Sequence, residues 1–194
     1  SNTVEERKHL LKLCYKIYFV SSWVEEKFFS GIDKNFYTNF HTIYPSIDKI
    51  NKFPPKKKII IFSGKLNAAK GFDKFAKAII KILNKYKDWK SVIIGDEPRE
   101  KYFFNHKRLI FTGWIPQDKV LNLYNDSSIT VVPSLWEEPF GRSSLEAGSR
   151  GNAVIISKKG GLPETIDNPI FLKNVTSSSI YSELNKLIKN KKLL

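Results

Sequence analysis

The run I-I-I-F-S-G-K-L-N-A-A-K-G, from Ile59 to Gly71, decides which fold the sequence predicts. Its first four residues are apolar without a break, which is typical of a strand buried on both faces of a parallel sheet. A loop containing Gly64 then leads into residues 70–87, where apolar residues recur at helical spacing. This order of strand, loop and helix is the first unit of an alternation between strands and helices.

The alternation of strands and helices continues towards the carboxyl terminus. Strands are predicted at 91–95, 109–113, 129–133, 153–157 and 170–172, and helices at 118–124, 143–150 and 179–190. Such an order implies right-handed crossovers and a mostly parallel sheet. We therefore predict an α/β fold, a Rossmann-like parallel β-sheet with helices on both faces. Ligands bind beyond the carboxyl ends of the strands in such sheets, so the loops that follow strands are the candidate sites.

The part of the chain before residue 59 has a different pattern. Helices are predicted at 3–13 and 22–29, and short strands at 16–21 and 42–44. The run F-P-P-K-K-K at 53–58 resembles a linker, because proline resists both helix and sheet.

The composition allows one well-packed domain with an appendage, since 41% of the 194 residues are apolar. The formal net charge of +14 is compatible with nucleic acid, an anionic membrane or anionic small molecules as partners. Only five of the 33 basic residues are arginine, and lysine, asparagine, isoleucine and phenylalanine are all abundant. We favour a compositional drift of the source genome as the explanation of the charge, with a functional anionic partner as the alternative.

Cysteine and histidine usage argues against several classes of site. Cys14 is the only cysteine, which excludes an internal disulfide and a cysteine-rich metal site, and we expect it to be buried as a small hydrophobe. The three histidines share no motif, and no D-x-D pair follows a strand, so a metal-bound diphosphate is not indicated. No apolar run approaches the roughly 20 residues of a membrane span.

The loop after the first predicted strand of the alternation carries two lysines. Gly64 permits close approach of the backbone to a ligand. Lys65 and Lys70 place two ammonium groups beside a predicted helix start, which itself favours anions. The spacing matches neither a Walker A loop nor G-x-G-x-x-G. Two solvated lysines on a loop remain the alternative interpretation.

The stretch W-E-E-P-F-G-R-S-S-L-E, residues 136–146, follows the strand predicted at 129–133. Backbone N–H groups around Gly141 would be free at the next helix start, and Arg142 adds a forked donor suited to phosphate. Glu138 and Glu146 flank this anion site and could each accept hydrogen bonds from hydroxyls. The layout matches a sugar–diphosphate–ribose ligand. Alternatively, Glu146 is an ordinary first-turn acid and Glu138 is a surface residue.

Three more loops follow predicted strands. K-K-G-G-L-P-E at 158–164 brings backbone close to a ligand or merely makes a tight turn. G-D-E-P at 95–98 and T-G-W-I-P at 112–116 could supply backbone contacts and apolar walls for a nucleobase. The candidates for such a pocket are Gly95, Trp114 and Ile115, and the alternative is that Trp114 is a plain core or rim aromatic.

The order of these motifs resembles a known family. The run V-P-S-L-W-E-E-P-F-G-R-S-S-L-E-A, followed by G-N-A-V-I-I-S and G-G-L-P-E, is similar to the donor-binding domain of glycosyltransferase family 4, the group 1 glycosyltransferases. Y-N-D-S-S-I-T-V-V-P-S and F-T-G-W-I-P match in order and spacing, so the agreement spans roughly residues 58–190. The family's E-x7-E motif would be Glu138 and Glu146. The resemblance implies one half of a GT-B fold, in which two Rossmann-like domains face each other across a cleft.

The resemblance also implies an activity and a role for each matched residue. These enzymes transfer a sugar from a nucleotide-diphosphate sugar with retention of configuration, here a UDP- or GDP-sugar, without a metal or other cofactor. Lys65 and Lys70 would hold the diphosphate, Glu138 the transferred sugar and Glu146 the ribose diol. The catalytic set would be Glu138, Lys70 and Lys65, and the donor-binding set adds Gly64, Phe140, Gly141, Arg142, Ser143 and Glu146. Lys65 departs from the family, which usually has arginine there, so the charge is kept and the bidentate fork is lost.

Domain organisation and partners follow from the same resemblance. Residues 1–48 would be the tail of an amino-terminal domain with the interdomain linker, and 49–194 the nucleotide-sugar-binding domain. The acceptor half would be missing, so we expect this chain alone to bind donor nucleotide and to be inactive. The acceptor would be a sugar or lipid-linked glycan in envelope polysaccharide, lipopolysaccharide or glycolipid synthesis.

The expected location is cytoplasmic, with peripheral contact at the cytoplasmic face of the inner membrane, and no nucleic acid is expected as a partner. Two competing hypotheses stay open. One is a basic α/β module that binds nucleic acid or anionic membrane without catalysis. The other is a non-catalytic partner subunit that has kept the fold.

Overall fold

The computed structural model describes residues 3–48, 50, 52–100 and 102–190. The α-helices of this part are α1 Val4–Leu13, α2 Ser22–Phe29, α3 Phe72–Lys85, α4 Gln117–Asp126, α5 Arg142–Ser149 and α6 Ser177–Lys189. The strands are β1 Ile17–Phe19, β2 Phe40–Thr42, β3 Lys57–Ser63, β4 Lys90–Ile94, β5 Leu109–Gly113, β6 Ser127–Val132, β7 Ala153–Ile156 and β8 Ile170–Phe171. Short 3₁₀ turns cover Lys34–Phe36, Ala68–Lys70 and Leu162–Glu164.

Strands β3 to β8 form one six-stranded parallel sheet in the order β5-β4-β3-β6-β7-β8. The apolar run in β3 lies at its centre and is buried on both faces. Ile60 and Phe62 pack with α3 and α6 on one face, whereas Ile59 and Ile61 pack with α4 and α5 on the other. The predicted α/β fold, with a parallel sheet between two layers of helices, is confirmed.

The strand order reverses at the centre of this sheet. β3 is followed along the chain by β4 on one side, and its neighbour on the other side is β6. The loops that leave the carboxyl ends of β3 and β6 therefore run to opposite faces, and a crevice opens between them.

A smaller unit precedes the six-stranded sheet. β1 and β2 form a two-stranded parallel pair, and they pack with α1 and α2 around Leu11, Phe19 and Phe29. The partly buried residues around this cluster lie between Ile17 and Phe40, so the unit has its own small core. No helix among the residues that the structure describes is long and apolar enough to cross a membrane.

Some predicted boundaries were wrong, and tertiary contacts explain them. β3 begins at Lys57, inside the predicted linker, because this end of the strand also pairs with β6. α3 begins at Phe72 instead of residue 70, because Gly71 takes a left-handed φ of 71° and ends a 3₁₀ turn. Cys14 is only partly buried, since it follows the last residue of α1 as its C-cap.

Candidate functional site

A pocket of about 150 Å³ lies at the crevice where the strand order reverses. This volume suits part of a nucleotide-sized ligand, because pockets that enclose a whole drug-sized ligand are about 300–1,000 Å³. The loop after β3, the loop after β6 and the start of α5 line it. The lining residues are Phe62, Ser63, Gly64, Lys70, Val132, Pro133, Ser134, Glu138, Gly141, Arg142 and Ser143.

Glycines bring the strand ends together on the β4 side of the pocket. The N–H of Gly64 donates to the carbonyl of Ile94 at 3.0 Å, and the N–H of Gly95 donates to the carbonyl of Gly113 at 2.9 Å. A Cβ on Gly95 would lie 2.0 Å from the carbonyl oxygen of Gly64, so a side chain is excluded there. A Cβ on Gly64 would meet no atom of the described residues within 4 Å.

The loops after β3 and β6 are clamped to each other beside Lys70. The N–H groups of Leu135 and Trp136 both donate to the carbonyl of Ala69, at 2.8 and 2.9 Å. Asn67 caps the 3₁₀ turn by accepting from the N–H of Lys70 at 3.0 Å. Lys70 therefore ends a capped turn and does not lie in the first turn of α3, where the sequence predicted it.

Lys70 and Glu138 form an ion pair in the pocket. The Nζ of Lys70 lies 2.5 Å from Oε1 of Glu138. Glu138 is only 8% exposed, so the alternative that it is a surface residue is wrong. Its carbonyl accepts from the N–H of Gly161 at 2.7 Å, and a Cβ on Gly160 would lie 2.0 Å from the same oxygen. The glycine pair after β7 thus packs against the backbone of Glu138.

Glu146 is the fifth residue of α5, four residues after Arg142, and it is also 8% exposed. Its Oε1 accepts from Nε2 of Gln117 at 3.0 Å and from Nη2 of Arg142 at 3.2 Å. The alternative of an ordinary first-turn acid is wrong, since the first turn of α5 has no acidic residue. Sequence reasoning missed Gln117, whose only signal is its place at the start of a helix directly after T-G-W-I-P.

The start of α5 presents backbone donors to the pocket. Gly141 precedes the helix with φ of 120°, and α5 has no side-chain cap hydrogen bond at this end. The hydroxyl of Ser143 donates to the carbonyl of Ser63 at 3.2 Å, which ties the helix start to the end of β3. Phe140 is buried, and its ring centroid lies 6.2 Å from that of Tyr44. An uncapped helix start beside a lysine is suited to an anion.

The remaining predicted site residues lie outside the lining of this pocket. Lys65 is exposed on the loop after β3. Trp114 is 79% exposed, so it is not a core residue, whereas Ile115 packs partly buried against the cluster around β3 and α4.

Acidic side chains of the loop after β4 support the lysine loop, and sequence reasoning missed them. Glu100 accepts from the N–H of Ala68 at 2.9 Å, and Glu97 accepts from Nδ2 of Asn67 at 3.3 Å. The guanidinium of Arg99 donates to both oxygens of Glu97 and lowers the pKa of this carboxyl to about 2. The only sequence signal was the E of G-D-E-P. Among the described residues, no group of three or more histidine, cysteine or acidic side chains is placed to hold a metal ion.

Comparison with known proteins identifies a family for most of the chain. The sequence model of the family described as glycosyl transferases group 1 matches residues 44–194. A lipopolysaccharide 1,2-N-acetylglucosaminetransferase of Salmonella typhimurium is 26% identical over 151 residues, which are 69% of this chain and 40% of that protein. This chain spans about 30–40% of the length of the first curated relatives it matches.

Many solved structures are similar to this fold, and two of them illustrate the range. One is the C-terminal domain of a glycosyl transferase group 1 family protein from Francisella tularensis, with 33% identity and a TM-score of 0.63. The match covers 73% of this chain and 80% of that chain. The other is the Anabaena protein HepE in complex with UDP and glucose, with 16% identity and a TM-score of 0.76. That match covers 98% of this chain and 59% of that chain.

Proposed function

Because this chain belongs to the group 1 glycosyl transferase family, we propose that it is the donor-binding half of a retaining, metal-independent family 4 glycosyltransferase with the GT-B fold. The observation that carries the proposal is the ion pair of Lys70 and Glu138. It lies beside the uncapped start of α5, in the crevice where the strand order reverses. The transferred group is a hexose or a similar sugar.

The diphosphate of the donor binds between Lys70 and the first N–H groups of α5, with Lys65 reaching in from the exposed part of the same loop. Lys70 neutralises the buried carboxylate of Glu138 while no ligand is bound. When the donor binds, the ammonium group turns to the phosphate and the carboxylate accepts from sugar hydroxyls. Breaking the bond between the sugar and the diphosphate puts negative charge on the leaving phosphate, and these preorganised cationic and N–H groups stabilise it.

The ribose of the donor binds on the side of Glu146. The carboxylate already accepts from Gln117 and Arg142, so its orientation is set before a ribose diol arrives. The base lies at the edge formed by Gly95 and the loop of Trp114 and Ile115. The UDP found in the Anabaena structure supports a uridine nucleotide, and a guanosine nucleotide is the other candidate.

The activity of the whole enzyme needs a second domain that binds the acceptor. The match to the Anabaena structure covers nearly all of this chain and only 59% of that one, and the proposed acceptor domain corresponds to the part of that structure that lies outside the match. Residues 1–48 form the tail of that amino-terminal domain and its linker, and 49–194 the donor domain, which alone transfers no sugar.

The acceptor is a sugar or lipid-linked glycan in envelope polysaccharide, lipopolysaccharide or glycolipid synthesis. The name of the Salmonella relative supports this class. The enzyme acts in the cytoplasm, in peripheral contact with the inner membrane, and the net charge of +14 supports attraction to anionic lipid.

The test is calorimetric titration with UDP, GDP and ADP in magnesium-free buffer at two salt concentrations. Glu146→Ala removes the ribose-side carboxylate, and Glu183→Ala, on the remote helix α6, is the matched control. We expect one nucleotide to saturate the wild type and the control, and to bind about tenfold or more weakly to Glu146→Ala, since a charged hydrogen bond contributes about 1.5–3 kcal/mol.

A different result would favour the basic-module hypothesis. In that case none of the three nucleotides binds, and an oligonucleotide or vesicles of anionic lipid bind instead. Binding to the phosphate backbone of an oligonucleotide would also weaken steeply as the salt concentration rises.

A further inference from the structure

The start of α2 touches the backbone next to Glu138. Ser21, the N-cap of α2, is fully buried, although it belongs to the small amino-terminal unit. Its Oγ accepts from the N–H of Val24 at 3.1 Å and donates to the carbonyl oxygen of Pro139 at 2.5 Å. Pro139 directly follows Glu138, so a residue 118 positions away in the sequence holds the peptide unit beside the sugar-side carboxylate.

The neighbouring peptide unit, between Glu138 and Pro139, is held by the glycine pair after β7. The N–H of Gly161 donates to the carbonyl of Glu138. A Cβ on Gly161 would lie 2.6 Å from the carbonyl oxygen of Pro139 and 2.8 Å from Oγ of Ser21. The segment from Glu138 to Pro139 is therefore enclosed between Ser21 and the glycine pair.

Glu164, three residues beyond Gly161, fixes α2 in this place. Its two carboxylate oxygens accept from the N–H of Ser22 at 2.7 Å and from the N–H of Trp23 at 2.9 Å, and the hydroxyl of Tyr44 donates to it at 2.9 Å. A carboxylate at a helix start is favourable because it satisfies free N–H groups and complements the positive end of the helix dipole. The amino-terminal unit is thus fastened to the loop that also holds Glu138.

We infer that Ser21 and Glu164, together called the α2 latch, are positioning residues for Glu138, and that the latch makes binding of the donor's sugar depend on the seating of the amino-terminal unit. The inference rests on the proposed function, in which Glu138 binds the sugar. Glu164 fixes the position of the start of α2. The hydrogen bond from Ser21 to Pro139 fixes Pro139 relative to that start, so the adjoining carboxylate of Glu138 shifts when α2 shifts. The proposed diphosphate contacts are Lys70 and the start of α5, and the nucleoside lies beyond them, so we expect the latch to affect their binding less than that of the sugar.

The experiment compares each nucleoside diphosphate with its sugar conjugate. UDP, UDP-glucose, GDP and GDP-mannose are titrated into the wild type, Ser21→Ala and Glu164→Gln. Ser182→Ala and Glu183→Gln, both on α6, are the controls. We expect each latch variant to weaken binding of the sugar conjugate by about three- to tenfold, the range that one hydrogen bond supplies, and binding of the parent diphosphate by less than about twofold. The controls should leave both affinities unchanged.

A double-mutant cycle with Glu138→Gln separates positioning from a merely structural role. If the latch acts through the Glu138 carboxylate, adding Ser21→Ala to Glu138→Gln should not further change the ratio of the affinities for the sugar conjugate and the parent diphosphate. The inference would be overturned if the latch variants bound the sugar conjugate and the parent diphosphate with an unchanged ratio of affinities. It would also be overturned if the effects of Ser21→Ala and Glu138→Gln on this ratio were independent in the cycle. Failure of the wild type to bind any of the four ligands would instead overturn the proposed function, and the inference with it.

Discussion

At the scale of single residues, the pKa of Glu97 is lowered mainly by one neighbour. The guanidinium of Arg99 donates to its two carboxylate oxygens at 2.7 and 2.9 Å, and these bonds lower the pKa of Glu97 to about 2. Glu97 also accepts from Asn67, the residue that caps the turn ending at Lys70. An interaction outside the pocket therefore supports the position of a lysine inside it.

This pKa predicts how acid affects stability. The folded-state pKa lies below the unfolded value of about 4.3, so the pair stabilises the fold above that pH and loses its effect as the pH falls towards 2. We expect Arg99→Ala to lower the free energy of unfolding at pH 6, and the difference from wild type to shrink between pH 4.5 and 2.5. Urea denaturation at several pH values measures this. Glu97→Gln should behave like Arg99→Ala, and a difference that does not vary with pH would contradict the prediction.

At the scale of elements, the pocket depends on the close packing of the loops after β3 and β6. Gly71 lies between the 3₁₀ turn and α3 with φ of 71°. A Cβ on this residue would lie 2.1 Å from the carbonyl oxygen of Pro133, which lines the pocket. The contact is with backbone at the end of β6, so it cannot be relieved by rotating a side chain.

Gly71→Ala should therefore lower the free energy of unfolding by more than the strain of a left-handed alanine alone. Gly113 has a similar φ of 67°, and a Cβ there would meet no atom within 4 Å, so Gly113→Ala is the matched control. We expect about 1–2 kcal/mol of destabilisation for Gly113→Ala and about 2–5 kcal/mol for Gly71→Ala, because the second adds a steric clash. Chemical denaturation of both variants measures the difference, and equal losses would show that the two loops can separate without cost.

The same two loops show how far the sequence could predict the site. The strand at 59–62 was predictable because a short, fully apolar run is typical of a strand that is buried on both faces. Lys70 and Glu138 were identifiable from motif and spacing. The start of α3 was not, because Gly71 adopts its conformation against a loop more than 60 positions away. Gln117 and Glu97 were missed for the same reason, since their partners Glu146 and Asn67 are 29 and 30 positions away in the sequence.

At the scale of the whole molecule, the two units have separate apolar cores. The core of the amino-terminal unit consists of Leu11, Phe19 and Phe29, with neighbours between Ile17 and Phe40. Among the residues that the structure describes, the two clusters on the faces of the large sheet begin at Ile59. The units are joined by polar contacts, which include the α2 latch, and by the ring contact of Tyr44 with Phe140.

Separate cores predict that the proposed donor domain folds without the amino-terminal unit. A chain that begins at Lys52 keeps the whole six-stranded sheet and the residues that line the pocket. It loses the latch, because Ser21 is absent and Glu164 has no helix start to bind. We expect a single cooperative thermal transition by circular dichroism. The affinity for UDP should lie within about threefold of that of the full chain, since the truncation removes no proposed UDP contact. Any preference for UDP-glucose over UDP should fall by about three- to tenfold, which is the contribution of one hydrogen bond.

The full-length chain and its Ser21→Ala variant are the references for this truncation. If the latch is the only route by which the amino-terminal unit affects the sugar side, truncation and Ser21→Ala should lower the preference by similar factors. A truncated chain that folds and keeps the full preference would show that the glycine pair after β7 holds Glu138 unaided. A truncated chain that does not fold would show that the polar contacts between the units, and not the separate cores, decide where the domain boundary lies.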